Sequence, residues 1–293
     1  MHKIKGRLSV KTLTQLLLFI LLFQQSGCSM LNKNSGAVIH IPVPGSQSEI
    51  SEIDLGAQIH NVITASQYLY TKPEVVNYVT EVGRSLARYS LRPHLPYSFT
   101  ILVDERLYST AAPGGYIYLT TGLLNFMKNE AELAGILAHE IGEVQHQPAA
   151  VSILKKHSED LAALTALVGS FFGPIGAVSA AGAILLTNSP YGDIGEGELL
   201  IDADQLAVNM LAKSHYNPAA FRNALLRVEE TFHGSEQQGL ALEWDRKRPI
   251  RIERLQKLDN LISQIKLDPM SLQTDSSRFT QAMKSIYAMY PAH

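Results

Sequence analysis

Ala138-His139-Glu140-Ile141-Gly142-Glu143-Val144-Gln145-His146 is the stretch on which the reading of this chain turns. Just before and within it, Leu133, Ile136, Leu137 and Ile141 recur at three- and four-residue steps, which predicts a helix. Asn129 stands where a helix would start, and Pro148 is expected to close it. On that helix, positions 139 and 143 share one face, as two ligands of a single metal do. Glu140 is turned by about 100° from His139, where a carboxylate can act as base on a metal-bound water. This is HExxH spacing with a glutamate, Glu143, in place of the second histidine. His146 falls about 20° from His139 around the helix but roughly 10 Å further along it, out of reach of the same metal.

Working outward, Val75, Val76, Val79, Val82, Leu86 and Ala87 form a helical stripe behind Lys72-Pro73. Tyr97–Val103 and Tyr116–Thr120 read as strands, with Gly114-Gly115 as a turn between them. A short helix is expected over Gly122–Met127, and others over Glu198–Lys213, Asn223–Phe232 and Ile252–Ile265. An isolated terminal helix is expected over Ser277–Tyr290. The fold class is therefore α+β, mostly helical, with a small sheet. Residues 161 to 192 carry no charged side chain and are broken by Gly173-Pro174. Each arm is too short to span a bilayer, so the segment reads as a buried helical pair or as a membrane-dipping hairpin.

Several ordered blocks, taken together, resemble a known family. Lys72-Pro73-Glu74-Val75-Val76, the run Ala112 to Leu124, Asn129 to Ala134, Ala138 to Gly142, Ala203-Asp204 and Asn217-Pro218 are similar to the zinc metallopeptidase family numbered forty-eight. That family includes HtpX and the CAAX prenyl endopeptidase. Within it, the likeness is to the periplasmic, BepA-like lipoprotein branch, and it covers roughly residues 55 to 265. It implies a zincin-type fold, with Tyr116–Thr120 as the edge strand along which an extended polypeptide lies. Asp204 then resembles the carboxylate that orients the first metal ligand.

The resemblance also exposes departures. The family's third ligand is a glutamate four residues before the aspartate of the Ala-Asp pair, and here that position is Leu200. Where the family carries a histidine-proline pair, this chain has Arg248-Pro249. Glu198 and Asp202 flank Leu200 near the opposite helix face, and Glu196 shares its face one turn away. A catalytic zinc keeps three protein ligands and a water. His139 is one, Glu143 is a second of weaker kind, and zinc is expected weakly bound or absent. His146, His157, His215 and His233 read as structural or solvated. Two functions follow. One is a pseudopeptidase that binds polypeptide segments in membrane-protein assembly or quality control, by strand addition. The other is a zinc endopeptidase using His139 and Glu143, with Glu140 as base.

The amino terminus adds a location. Lys3, Lys5, Arg7 and Lys11 precede an apolar run, Leu16 to Phe23, too short to cross a membrane. Gln25-Ser26-Gly27-Cys28 resembles a bacterial lipobox, and Cys28 is the chain's one cysteine. Ser29 after it favours the outer membrane by resemblance to enterobacterial lipoproteins, with the protein on the periplasmic side. The expected organisation is a signal peptide (1–27), a tether (28–54), a metallopeptidase-like domain (55–266) and a C-terminal helix (267–293). Net charge is −2, with hydrophobic residues at 46% and charged ones at 18%. Such a balance points neither to nucleic acid nor to an acidic membrane surface, and one cysteine excludes an internal disulfide.

Overall fold

The computed structural model describes residues 42–145, 196–233, 252–266 and 271–290, without the side chains of 196–202 and 232–233. Cys28, His146, Pro148, His157, the uncharged segment 161–192 and Arg248-Pro249 lie outside the described residues. No described helix is long and apolar enough to cross a membrane.

The chain enters the fold through α1 (Gln47–Ser66), capped by Ser46, whose hydroxyl accepts from the Glu49 N–H. Residues 47–54, read from composition as tether, are thus the first two turns of a helix. Polar residues there are buried for a reason that periodicity does not show. Glu49 and Glu52 both bond the buried Arg92 guanidinium at 2.9–3.0 Å. α2 (Pro73–Ala87) begins on Pro73, whose missing N–H costs nothing in a first turn. Three strands follow: β1 (Ser98–Leu102), β2 (Ser109–Ala112) and β3 (Tyr116–Thr120). Between β2 and β3 a short 3-10 turn at Pro113–Gly115 sets Gly114 at φ 77°, a left-handed geometry that glycine adopts without strain.

The sheet order is β1-β3-β2, β3 running parallel to β1 and antiparallel to β2. β3 is therefore the central strand and not the edge. The outer strand beside the motif helix is β2. Both faces of β3 are covered as well. Ile117 and Leu119 face the main core with α2, while Tyr118 packs with Leu55, Ile59 and Ile63 of α1.

After β3, Thr120 caps the short α3 (Thr121–Phe126), and Asn129 caps α4 (Glu130–Val144), accepting from the Glu132 N–H at 3.0 Å. α4 is the axis of the molecule: of its fifteen residues, all but Glu143 are buried. α5 (Glu196–Lys213) crosses it at Gly142, where an added Cβ would stand 2.8 Å from the Ala203 carbonyl oxygen. α6 (Pro218–His233) packs on α4 as well, starting at Pro218, five residues before the apolar pattern indicates. α7 (Ile252–Ser263) leans on α5 and α6.

α8 (Ser277–Tyr287) is not isolated, because Phe279, Met283 and Ile286 are buried in the core. The carboxylate of Glu130, at the first turn of α4, accepts from Tyr78, Tyr216, Gln273 and Ser276. A helix amino terminus favours that negative charge, and four donors satisfy its lone pairs. The result ties α2, the α5–α6 link and the C-terminal segment to one end of α4.

Candidate functional site: a carboxylate-bound histidine on the motif helix

His139, the tenth of the fifteen residues of α4, has a carboxylate on each side. Its Nδ1 lies 2.9 Å from Oδ1 of Asp204, and its Nε2 lies 3.3 Å from Oε1 of Glu143. These are contacts of charge and distance rather than well-aimed hydrogen bonds. Asp204 is placed by the crossing of α5 at Gly142, one residue from Ala203. It is in turn gripped by Arg254 of α7, whose Nε donates to Oδ2 at 2.7 Å and Nη2 to Oδ1 at 2.8 Å. His139, Asp204 and Arg254 are each at most 5% exposed. Buried charges persist only when paired, and here a row of alternating sign runs Glu143, His139, Asp204, Arg254.

The electrostatics follow from that row. Burial pushes the His139 imidazole down, but the carboxylates of Asp204 and Glu143 outweigh it and raise its pKa to about 9. Burial likewise pushes Asp204 up, yet Arg254 and then His139 hold it down at about 2. With these values the imidazole is a cation at neutral pH, ion-paired with the two carboxylates beside it.

Glu140 is fully buried on another face of α4, and its Oε1 accepts from the Ser109 hydroxyl at 2.6 Å. Ser109 opens β2, so the outer strand and the motif helix meet through this bond. The His139 ring also lies 5.9 Å from the ring of Phe221 on α6.

Whether this set suits a zinc ion is a question of donors. Two ligands of a tetrahedral zinc, each at about 2.0–2.2 Å, stand roughly 3.3–3.5 Å apart. The Nε2–Oε1 separation of 3.3 Å meets that, and Asp204 orients the ring as a carboxylate behind a metal-bound histidine does. A third donor is not found among the described residues, where no three His, Cys, Asp or Glu side chains are placed to hold one metal ion. Leu200 lies in α5 one turn before Asp204, and leucine has no donor to offer. The described donors thus stop at two of the three that a catalytic zinc keeps.

Sequence reasoning brought His139, Glu140, Glu143 and Asp204 to one place, and the structure joins His139 to both Glu143 and Asp204. It missed Arg254 and Ser109. For Arg254 a signal existed: it stands four residues before Leu258, on the buried stripe of α7, where a charge needs a partner. For Ser109 there was none, since a serine opening a strand is unremarkable.

A helix bearing a histidine-glutamate pair, a three-stranded sheet beside it and an aspartate behind the histidine define a zincin-like metallopeptidase fold. The sequence profile of Peptidase family M48 matches residues 73–262, and the chain belongs to that family. Among curated relatives, the beta-barrel assembly-enhancing protease of Yersinia pestis is 26% identical over 249 residues, covering 82% of this chain and 49% of that protein. The protein of that name from Escherichia coli is 23% identical over 246 residues, with the same shares. A putative beta-barrel assembly-enhancing protease of Vibrio cholerae is 26% identical over 187 residues, 62% of this chain and 38% of that one. This chain thus spans half or less of the length of these relatives.

Proposed function

We propose that this chain is a lipid-anchored pseudopeptidase of the cell envelope, which binds polypeptide segments during assembly or quality control of membrane proteins. The observation that carries the reading is the row Glu143–His139–Asp204–Arg254, with hydrocarbon at position 200. Each histidine nitrogen faces a carboxylate, so a proton supplies the positive charge that a metal supplies in an active zincin. The family and the names of the relatives support a polypeptide in the envelope as the bound species. Cys28 and its preceding apolar run support an anchor at the outer membrane, on the periplasmic side. By this reading the segment adds to the outer strand β2, which the Ser109–Glu140 bond ties to α4.

One observation favours an alternative, a zinc endopeptidase of unusual ligand set: the His139–Glu143 pair already has the spacing of two zinc ligands. Metal analysis of the purified protein separates the two. The pseudopeptidase reading expects no stoichiometric zinc at neutral pH and no chelator-sensitive cleavage of casein. It also expects Glu143→His combined with Leu200→Glu to create tight zinc binding, because His139, Glu140 and Asp204 are in place. Tight zinc in the unaltered protein, lost on Glu143→Ala, would establish the endopeptidase instead.

A further inference from the structure

The chain enters the fold beside a surface of unusual composition. Ser46 caps α1, and the turn before it leaves Val43 72% exposed. Ile50, in the first turn of α1, is 43% exposed. Between these two, Glu49 bonds the Gly45 N–H, Arg92 and His94. The loop after α2 is thereby fixed at the point of entrance, and it carries Tyr89 and Leu91, 43% and 45% exposed. Four of the exposed large hydrophobic residues of the described chain therefore cluster within two short segments in contact.

The same place is cationic. Arg84, on the last turn of α2, and Arg88, which follows it as the C-cap, are exposed and line one open groove with Pro93, Leu95 and Tyr97. Glu81, which could neutralise them, pairs with Arg278. Among the described residues neither arginine has an acidic partner. Arginine at a helix carboxyl end has a bland role with the helix dipole, which accounts for Arg84. It does not account for the tyrosine and leucine left in water on the loop that follows. Exposed apolar side chains beside unpaired guanidiniums are what a peripheral membrane contact needs: apolar groups to enter the interface and cations to meet phosphate. The net charge of −2, read earlier against an acidic surface, averages this local arrangement away.

We propose that this face, formed by the start of α1, the end of α2 and the loop after it, lies against the anionic phospholipid headgroups of the membrane that holds the anchor. The argument for that occupant is the chain itself. Pro42 is fourteen residues from Cys28, at most about 50 Å however the link runs, and it joins the fold at this face. The chain that bears Cys28 thus enters the fold at this face, and a link of that length keeps the face within reach of the bilayer that holds the anchor. The inference takes the anchor reading of Cys28 as its starting point, yet the surface binds lipid or fails to on its own account.

The test uses the full chain carrying Cys28→Ser, so that no acyl group intervenes, with vesicles of phosphatidylcholine alone or mixed with phosphatidylglycerol. The protein is expected to float with the anionic vesicles, less so in high salt. Arg84→Gln with Arg88→Gln is expected to lower that partition about 30-fold, each cation near an anionic surface counting for a factor of roughly five. A dye on Leu91→Cys, then the one thiol, should report apolar surroundings that a dye on Lys257→Cys of α7 does not. Equal flotation of the arginine variant, or equal response of the two dyes, would overturn the proposal. So would a Leu91 dye that ignores vesicles and answers to an unfolded polypeptide, which would make this face a protein contact. Failure of the anchor reading shows elsewhere, as unchanged fractionation of Cys28→Ser in cells.

Discussion

Arg254 completes a buried row of charges, and the row makes stability depend on pH from both ends. His139 holds its proton up to a pKa of about 9 in the folded chain, against about 6.5 when unfolded. Its contribution is full below pH 6.5 or so, on the order of 3 kcal/mol, and is lost as pH rises through about 9. Asp204, held at about 2, contributes above its unfolded value and loses that contribution as pH falls toward 2. Urea denaturation of chelator-treated protein should show stability falling from pH 6.5 to 9, and His139→Gln should flatten that fall while lowering the maximum. A pH-independent midpoint across this range would mean that the imidazole is neutral and unpaired. His139, Glu140 and Asp204 were legible in the sequence because a motif fixes their spacing on helices. Arg254 was not, because its partner lies fifty residues away and only packing brings α7 onto α5.

Among the elements, α4 decides most, and its close approach to α5 rests on one missing methyl group. A valine at position 142 drives its side chain into the Ala203 backbone, which cannot yield as a flexible side chain would. Gly142→Val should therefore cost about 3 kcal/mol or more, through overpacking at a backbone contact. It should also separate Asp204 from His139, so the pH dependence described above should shrink with it. Thermal denaturation followed at two pH values reads both effects, and unchanged pH dependence would mean that α5 stays in place. β3 and the cap of α4 lie where local pattern puts them, at Tyr116–Thr120 and Asn129. The position of β3 in the sheet was not legible. The resemblance implied an edge, whereas pairing with β1 on one side and β2 on the other, which no local pattern encodes, makes β3 central. The early start of α1 was hidden for a related reason, since Glu49 and Glu52 look solvated until Arg92 is found between them.

For the molecule as a whole, the C-terminal segment belongs to the core even though the family match ends at residue 262. Phe279, Met283 and Ile286 fill it, and Gln273 and Ser276 bond Glu130. Deleting residues 271–293 exposes that carboxylate's surroundings along with three apolar side chains. The shortened protein should then be degraded rapidly in limited proteolysis, where the full chain resists. Equal resistance would show that the segment is dispensable. Location is a second property of the whole chain. Cys28→Ser should move the protein from the membrane pellet to the soluble envelope fraction, whereas an unchanged pellet would assign retention to another segment. The N-terminal bound could not be read from composition, because Glu49 and Glu52 are polar and are buried by pairing with Arg92.

The near-complete enclosure of α4 has a consequence for measurement. A helix with fourteen of fifteen residues buried has no partial opening that leaves its neighbours intact. Its amide hydrogens should exchange with deuterium only when the entire fold opens, and all at one common free energy. Exchange along Leu133–Ile141 therefore serves as an internal gauge of global stability. Any species that binds the native fold, whether metal, lipid or polypeptide, should slow that exchange in proportion to its affinity, wherever on the molecule it sits.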